Sequence, residues 1–359
     1  MTHMFVPGPV DVAPEVLEAM AKPMIPHRSK EYEAIHRSAA EKAQKVFYTD
    51  YRVFLGTHSG SGMQETGIRN LVEKDVLCCV NGAFSQRWYD TAISNGKQAD
   101  QLSTEWGKPI LPEQLRETLK KKHYEAVTIV HNETSTGLEN PVRELVEVVR
   151  EVSPDTFILV DAVSSLGGTK IEMDAWGIDF LLTSSQKCLA LPPGLSLAGV
   201  NDCAMRKAAT VKNRGWYFDL VLMEKHRIKD STAMTPVIPL IYALDFQLDR
   251  ILAEGLEMRF ARHAAMSQKV YDWCLANGMQ PFAQEGYRSK TVATISNDRK
   301  MDISALNKFL LEHYDMRISN GYGNLKDKTF RIATMGETTP QIVDTLLEGM
   351  SQFLATSGA

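Results

Sequence analysis

The sequence predicts an α/β protein: a large domain on a mostly parallel, doubly wound sheet, followed by a smaller C-terminal α+β domain. Three observations carry this. Apolar runs such as "VLCCV", "VTIV" and "FILV" are continuous rather than alternating, which is how strands buried on both faces read. They alternate with helical stretches at the spacing of βαβ units. At 359 residues the chain also exceeds the size at which one core stops growing, so two domains are expected.

The elements follow in order. Residues 1–15, with Pro7-Gly8-Pro9, form an extended segment expected near the active site. The large domain is expected over 16–250 and the small one over 251–359. Helical periodicity fills "SKEYEAIHRSAAEKAQKVFY", and "RVFLGT" is a strand running through a glycine-serine turn into the helix "MQETGIRNLV". "DVLCCVNG" is a strand whose adjacent cysteines point to opposite faces. "SQRWYDTAISNG" is a helix, "KQADQLST" a strand, and "PEQLRETLKKKHYE" an amphipathic helix closed by Lys120-Lys121-Lys122, where cations suit the helix dipole. "EAVTIVHNETSTG" and "TFILVDAVSSLGG" are strands with loops, separated by the helix "PVRELVEVVREVS" with Pro141 in its first turn. "MDAWGI" connects to the strand of "DFLLTSSQKCLALPPG". Beyond it a long helix is expected over 240–277, then shorter elements in "KTVATISN", "SALNKFLLEHY" and "TFRIATMG".

Composition excludes several classes. Hydrophobic content of 44%, charged content of 23% and a net charge of −4 describe a soluble globular chain without a basic footprint for nucleic acid. No apolar run nears the roughly 20 residues that span a bilayer. Five cysteines have neither zinc spacing nor a disulfide framework, and no signal peptide is legible, so a reduced, cytoplasmic location is expected and no metal site.

Ligands of open α/β sheets bind beyond the carboxyl ends of the strands. There the sequence places Ser59-Gly60-Ser61-Gly62 before a helix, Phe84, Thr134, Asp161, and Gln186-Lys187. Small residues at a helix start let backbone amides approach an anion, although a plain tight turn reads the same way. A carboxylate ending a fully apolar strand is costly without a partner, unless Asp161 is a simple cap. A lysine ending another apolar strand either snorkels to water or is desolvated, and a desolvated amine is neutral enough for Schiff-base chemistry. Pyridoxal phosphate needs all of these at once: an anion cradle, an aldehyde partner, a carboxylate at the ring nitrogen and an apolar plate.

The stretches "VPGPVDV", "HSGSGMQE", "NGAFSQR", "HNETSTG", "VDAVSSLGG", "DFLLTSSQKCLALPPG", "MTPVIPLIYAL" and "FRIATMG" run nearly end to end. With them the chain resembles the class V aminotransferases of the fold-type-I pyridoxal-phosphate enzymes, most closely the alanine/serine–glyoxylate (serine–pyruvate) group. The resemblance implies that Lys187 binds the cofactor's aldehyde and shuttles a proton, and that Asp161 pairs with the pyridine nitrogen. It places Thr134 beside the phenolic oxygen and Val163 against the ring. It implies a phosphate held by Ser61, Gly62, the Met63 amide and Gln186, with Thr232 and Thr235 reaching in from the partner of a homodimer. Arg331 would take the α-carboxylate, which its planar fork meets bidentately, and Gly8 would border the donor side chain. Phe84 stands where tryptophan is frequent, with Trp88 as an alternative plate. Met63 replaces a common histidine, and Thr232 a common tyrosine. His131 and Glu133 fall near the ring, with a direct role or simple packing both open.

The implied activity is a ping-pong transfer of an amino group from alanine or serine to glyoxylate or pyruvate. Aminoethylphosphonate, ureidoglycine, aspartate or phosphoserine donors are alternatives. A cysteine desulfurase would need a loop cysteine ahead of Arg331, and none lies between His313 and Arg331. A nicotinamide oxidoreductase is the rival from another class, but the three-glycine fingerprint is absent. A non-catalytic relative would not need the lysine, aspartate and arginine together.

Overall fold

The computed structural model describes residues 2–357 and contains two main sheets. The larger has seven strands in the order Arg52–Gly56, Ser196–Val200, Phe180–Ser184, Phe157–Asp161, Ala126–Val130, Asp75–Val80 and Gln98–Ser103. All run in one direction except Ser196–Val200, which is antiparallel to both of its neighbours. Helices cover both faces, and the strand residues divide between two apolar clusters by simple alternation. Val127, Ile129, Ile158 and Val160 enter one, while Ala126, Val130 and Leu159 enter the other. Cys79 and Cys78 separate in the same way, as neighbours on one strand must.

A second sheet has the order His3–Phe5, Met316–Asn320, Thr329–Ala333 and Val292–Ser296. The N-terminal strand pairs parallel with the second of these, His3 opposite Met316. The helices Leu256–Ala276, Ile303–Tyr314 and Pro340–Ser357 pack on this sheet through their own core, which includes Phe5, Val270, Leu310, Ile332 and Leu346. After Phe5 the chain passes through Pro7–Pro9 along the cleft between the sheets.

Two expectations differ from the structure, and one strand was not foreseen. The helix foreseen over 240–277 is two helices, Ile238–Glu254 and Leu256–Ala276, broken at Gly255 with φ +84° and ψ 127°. Periodicity continues across the break, so only the backbone reveals it. The helix before the lysine run ends at Leu119. Lys120 caps it, and Lys122 instead bridges Asp75 at 3.0 Å and Asp100 at 2.9 Å. Strand Ser196–Val200, not expected from the sequence, begins two residues after Pro192-Pro193-Gly194 and is the single antiparallel member of the larger sheet. Among the described residues no helix is long and apolar enough to cross a membrane, and no group of three or more His, Cys, Asp or Glu side chains is placed to hold a metal.

Candidate active site

Strands Phe157–Asp161 and Phe180–Ser184 lie side by side and parallel, with Asp161 opposite Leu182. Asp161 therefore ends one strand while Lys187 sits on the turn just beyond the other. Both face a cleft of about 340 Å³, a size suited to a cofactor with a small substrate. Ser59–Ser61, Gln64, Phe84, Arg87, Asn132 and Thr134 also line it, as do Val163, Gln186, Ser319, Tyr322, Arg331 and the Val6–Pro9 segment.

Lys187 does not snorkel. It is 8% exposed, and its amine donates to the Pro7 carbonyl. Burial, followed by the Arg331 charge, pushes it down to about 8, so about a tenth of it is neutral at pH 7 where an ordinary lysine is almost wholly charged. Gly8 makes this approach possible. Its φ is +100°, and a Cβ there would lie 2.7 Å from the Lys187 Cδ and 2.9 Å from the Gln186 carbonyl. Asp161 accepts from the Gln64 amide at 2.7 Å and from the Val163 N–H at 2.8 Å. Burial pushes its carboxyl up to about 6. No cation of the described residues lies within ion-pair distance of it, so a ring N–H⁺ would supply the missing charge.

One end of the cleft suits an anion. Ser59 caps the helix Gly60–Leu71, and the Ser61 hydroxyl accepts from Arg87 at 2.8 Å. Arg87 has no carboxylate partner among the described residues. Gln186 is held by the Ser184 hydroxyl at 2.6 Å. Gly62 and Met63 lie one step deeper: their amides donate to the Ser59 carbonyl at 2.9 and 3.3 Å, and the Met63 side chain is in the core. The structure thus brings Ser61 and Gln186 to the cleft but not Gly62 or Met63.

Phe84 and Val163 supply the apolar walls. Trp88 is fully buried in the core of the large sheet and does not reach the cleft. Phe84 is fixed from behind by Glu133, whose carboxylate accepts from the Phe84 and Ser85 amides at 3.1 and 2.8 Å and from both Ser85 and Ser135 hydroxyls. Glu133 is therefore a positioning group for this helix start. His131 is likewise outside the cleft wall, bonded to the Ser165 hydroxyl at 2.8 Å. Thr134 lines the cleft and shares a 2.6 Å hydrogen bond with Ser164. The Gln64 Oε1 and Asn132 Oδ1 atoms are buried without partners, both on cleft residues.

Arg331 closes the other end. It is 7% exposed, and burial pushes it down to about 10. Among the described residues its guanidinium donates to neutral oxygens, Asn320 O and Ser319 Oγ, each at 3.1 Å, and pairs with no carboxylate. A buried arginine without a carboxylate partner invites one from a ligand. Thr232 lines a separate cavity with His36 and His58, and Thr235 is exposed. Within one chain neither reaches the cleft.

Arg87, Tyr322 and Gln64 were not singled out from the sequence. Arg87 had a signal, since it stands three residues after Phe84 and hence on the same helical face.

The family model for aminotransferase class-V matches residues 12–324. The chain belongs to the class V aminotransferases. An uncharacterised aminotransferase of Methanocaldococcus jannaschii is 38% identical, covering 93% of this chain and 87% of that protein. The L-aspartate–glyoxylate aminotransferase of Paracoccus denitrificans is 33% identical, over 94% and 87%. The crystal structure of the alanine–glyoxylate aminotransferase of a Nostoc species superposes with a TM-score of 0.93 at 30% identity, covering 98% of this chain and 95% of that one. The class V aminotransferase takes pyridoxal phosphate as cofactor, and the cleft fits it: an anion end, an uncompensated buried carboxylate, a desolvated lysine and an apolar slot.

Proposed function

We propose that this class V aminotransferase moves the amino group of a small amino acid, alanine or serine, to glyoxylate or pyruvate, and works as a homodimer. The observation that carries the substrate side is Arg331: a buried guanidinium with no carboxylate partner, at the far end of the cleft from Ser61 and Arg87. Bound pyridoxal phosphate supplies an electron sink for the bond electrons released at the substrate's α-carbon. The chain's own residues do the rest. Arg331 orients the α-carboxylate. Lys187, partly neutral and beside the cleft, removes and returns the proton at that carbon. Asp161 keeps the ring nitrogen protonated, and Ser61, Gln186 and Arg87 hold the phosphate end. Phe84 and Val163 flank the ring and exclude water. Thr232 and Thr235 complete the phosphate site from the partner subunit.

Aspartate as donor is a second reading. It is favoured by the L-aspartate–glyoxylate relative, 33% identical over 94% of this chain.

The test is the visible spectrum of the cofactor-loaded protein titrated with single amino acids in the absence of any oxo acid. Alanine or serine should bleach the yellow band, and glyoxylate should restore it. Bleaching by aspartate alone would transfer the assignment to the second reading. Lys187→Ala should lack the yellow band and lose turnover by about 10²- to 10⁴-fold or more. Near-normal turnover in that variant would remove Lys187 from the mechanism.

A further inference from the structure

Arg331 and Tyr322 belong to one hairpin. Strand Met316–Asn320 pairs with Thr329–Ala333, Ser319 opposite Arg331, and Tyr322 sits on the loop joining them. That loop is tied at several points. The Asn320 side chain accepts from the Gly321 and Asp327 amides at 2.7 and 2.9 Å and donates to Asp327 at 2.7 Å. The Gly321 amide donates to the Thr329 carbonyl at 2.9 Å. Tyr322 is thus an anchored aromatic rather than a free one. Although 38% exposed, its ring faces Phe84 at 5.3 Å between centroids with a 31° tilt. Its other neighbour is Arg331, whose guanidinium carbon is 5.5 Å from the ring centroid. Arg87 completes the row, 4.9 Å from the Phe84 centroid.

We infer that Tyr322, braced by Phe84, limits the size of the donor side chain that can stand over the cofactor once Arg331 holds the α-carboxylate. A carboxylate paired with a guanidinium lies about 3 Å from its nitrogens, which brings the next carbons of the ligand within a few ångströms of this ring. The opposite wall is the Val6–Pro9 segment, fixed by the Lys187 amine on the Pro7 carbonyl. With Tyr322 seated between Phe84 and Arg331, a branched or aromatic donor side chain is expected to meet its ring, whereas a methyl or hydroxymethyl group is not. The limit comes from the ring and not from the phenol, since no hydrogen bond of the hydroxyl contributes to the wall.

The inference rests on Arg331 as the carboxylate anchor of the proposed transaminase. Cofactor-loaded wild type, Tyr322→Ala and Tyr322→Phe are each given alanine, 2-aminobutyrate, leucine and phenylalanine one at a time, and the bleaching rate is followed. The leucine-to-alanine ratio should rise at least about tenfold in Tyr322→Ala and stay at the wild-type value in Tyr322→Phe. Calorimetric binding of propionate and 4-methylpentanoate to the same proteins gives a second readout that needs no turnover, and the affinity ratio should shift in the same direction. An unchanged ratio in Tyr322→Ala, with all donors weakened alike, would mean that the ring only supports Arg331 and would overturn the inference. Should no amino acid bleach the wild type, the donor assignment fails by itself, and the carboxylate ratio still decides the role of Tyr322.

Discussion

Asp161 and Lys187 are displaced in opposite directions by one cause. Burial favours the uncharged form of each, raising the carboxyl to about 6 and lowering the amine to about 8. A carboxyl whose folded value lies above its ordinary 3.8 helps the fold at acid pH, and that help is lost as pH rises from about 4 to about 6. Above that window the cofactor-free protein carries a buried charge costing about 3 kcal/mol. Asp161→Asn should therefore raise the melting temperature of the cofactor-free protein at pH 7.5 and flatten its decline between pH 4 and 6. Gln64 can reverse its amide to present the now unpartnered Oε1. Turnover of the loaded enzyme should fall by about 10²-fold. A lower melting temperature for the cofactor-free variant would show that the wild-type carboxylate is already compensated. At this scale the sequence was informative where chemistry ran against environment. A charged residue ending an apolar strand is visible from neighbours alone, so Lys187 and Asp161 could be read. Arg331, on a short strand in a polar-looking stretch, entered through the family resemblance, because its burial depends on residues distant in the chain.

Among elements, Gly255 is the clearest case of a decision made by the backbone. It separates two helices whose apolar periodicity runs on without a break, and its φ and ψ lie where only glycine rests comfortably. A Cβ at this position has nothing within 4 Å, so Gly255→Ala tests the dihedral cost without steric clash. A loss of about 1–3 kcal/mol is expected in urea denaturation, with turnover per folded molecule little changed. No loss would mean that the two helices can merge or re-register at this joint. Strand Ser196–Val200 teaches the same lesson from the other side. Its sequence, Ser-Leu-Ala-Gly-Val, is poor in strand formers, and nothing local says that it inserts antiparallel between Arg52–Gly56 and Phe180–Ser184.

For the molecule as a whole, Arg259 holds the active-site turn to the helices behind it. It is 1% exposed and donates to the Gly167 carbonyl at 2.9 Å and the Cys188 carbonyl at 2.8 Å. It also pairs with Glu254 at 2.6 Å and reaches Glu337 at 3.4 Å. Cys188 adjoins Lys187, so this buried cation fixes the lysine from below. Arg259→Leu should cost about 3 kcal/mol in urea denaturation, because the Gly167 and Cys188 carbonyls lose their donor and Glu254 and Glu337 lose one of their cations, Arg262 and Arg250 remaining. Arg259→Lys should recover part of the ion pairing but not both carbonyl bonds, since its single amine lacks the planar fork. Equal stability of wild type and the leucine variant would show that the network contributes nothing net.

By itself the sequence determined the alternation of strands and helices, the cofactor's demands on Lys187 and Asp161, and the motifs that tie the chain to its family. These are local: a five-residue apolar run, a turn, a charge at its end. The tertiary structure decided what depends on meeting across the chain. It set Phe84 rather than Trp88 on the cleft wall, because the helix Ala83–Ser94 turns Trp88 into the core and Glu133 holds its first turn toward the cleft. It left Gly62 and Met63 behind the anion end, and it set Tyr322 beside Arg331. The packing of Phe84 against Tyr322 joins segments more than two hundred residues apart, and Glu133 reaches Phe84 from about fifty residues on, where no spacing rule in a single sequence applies.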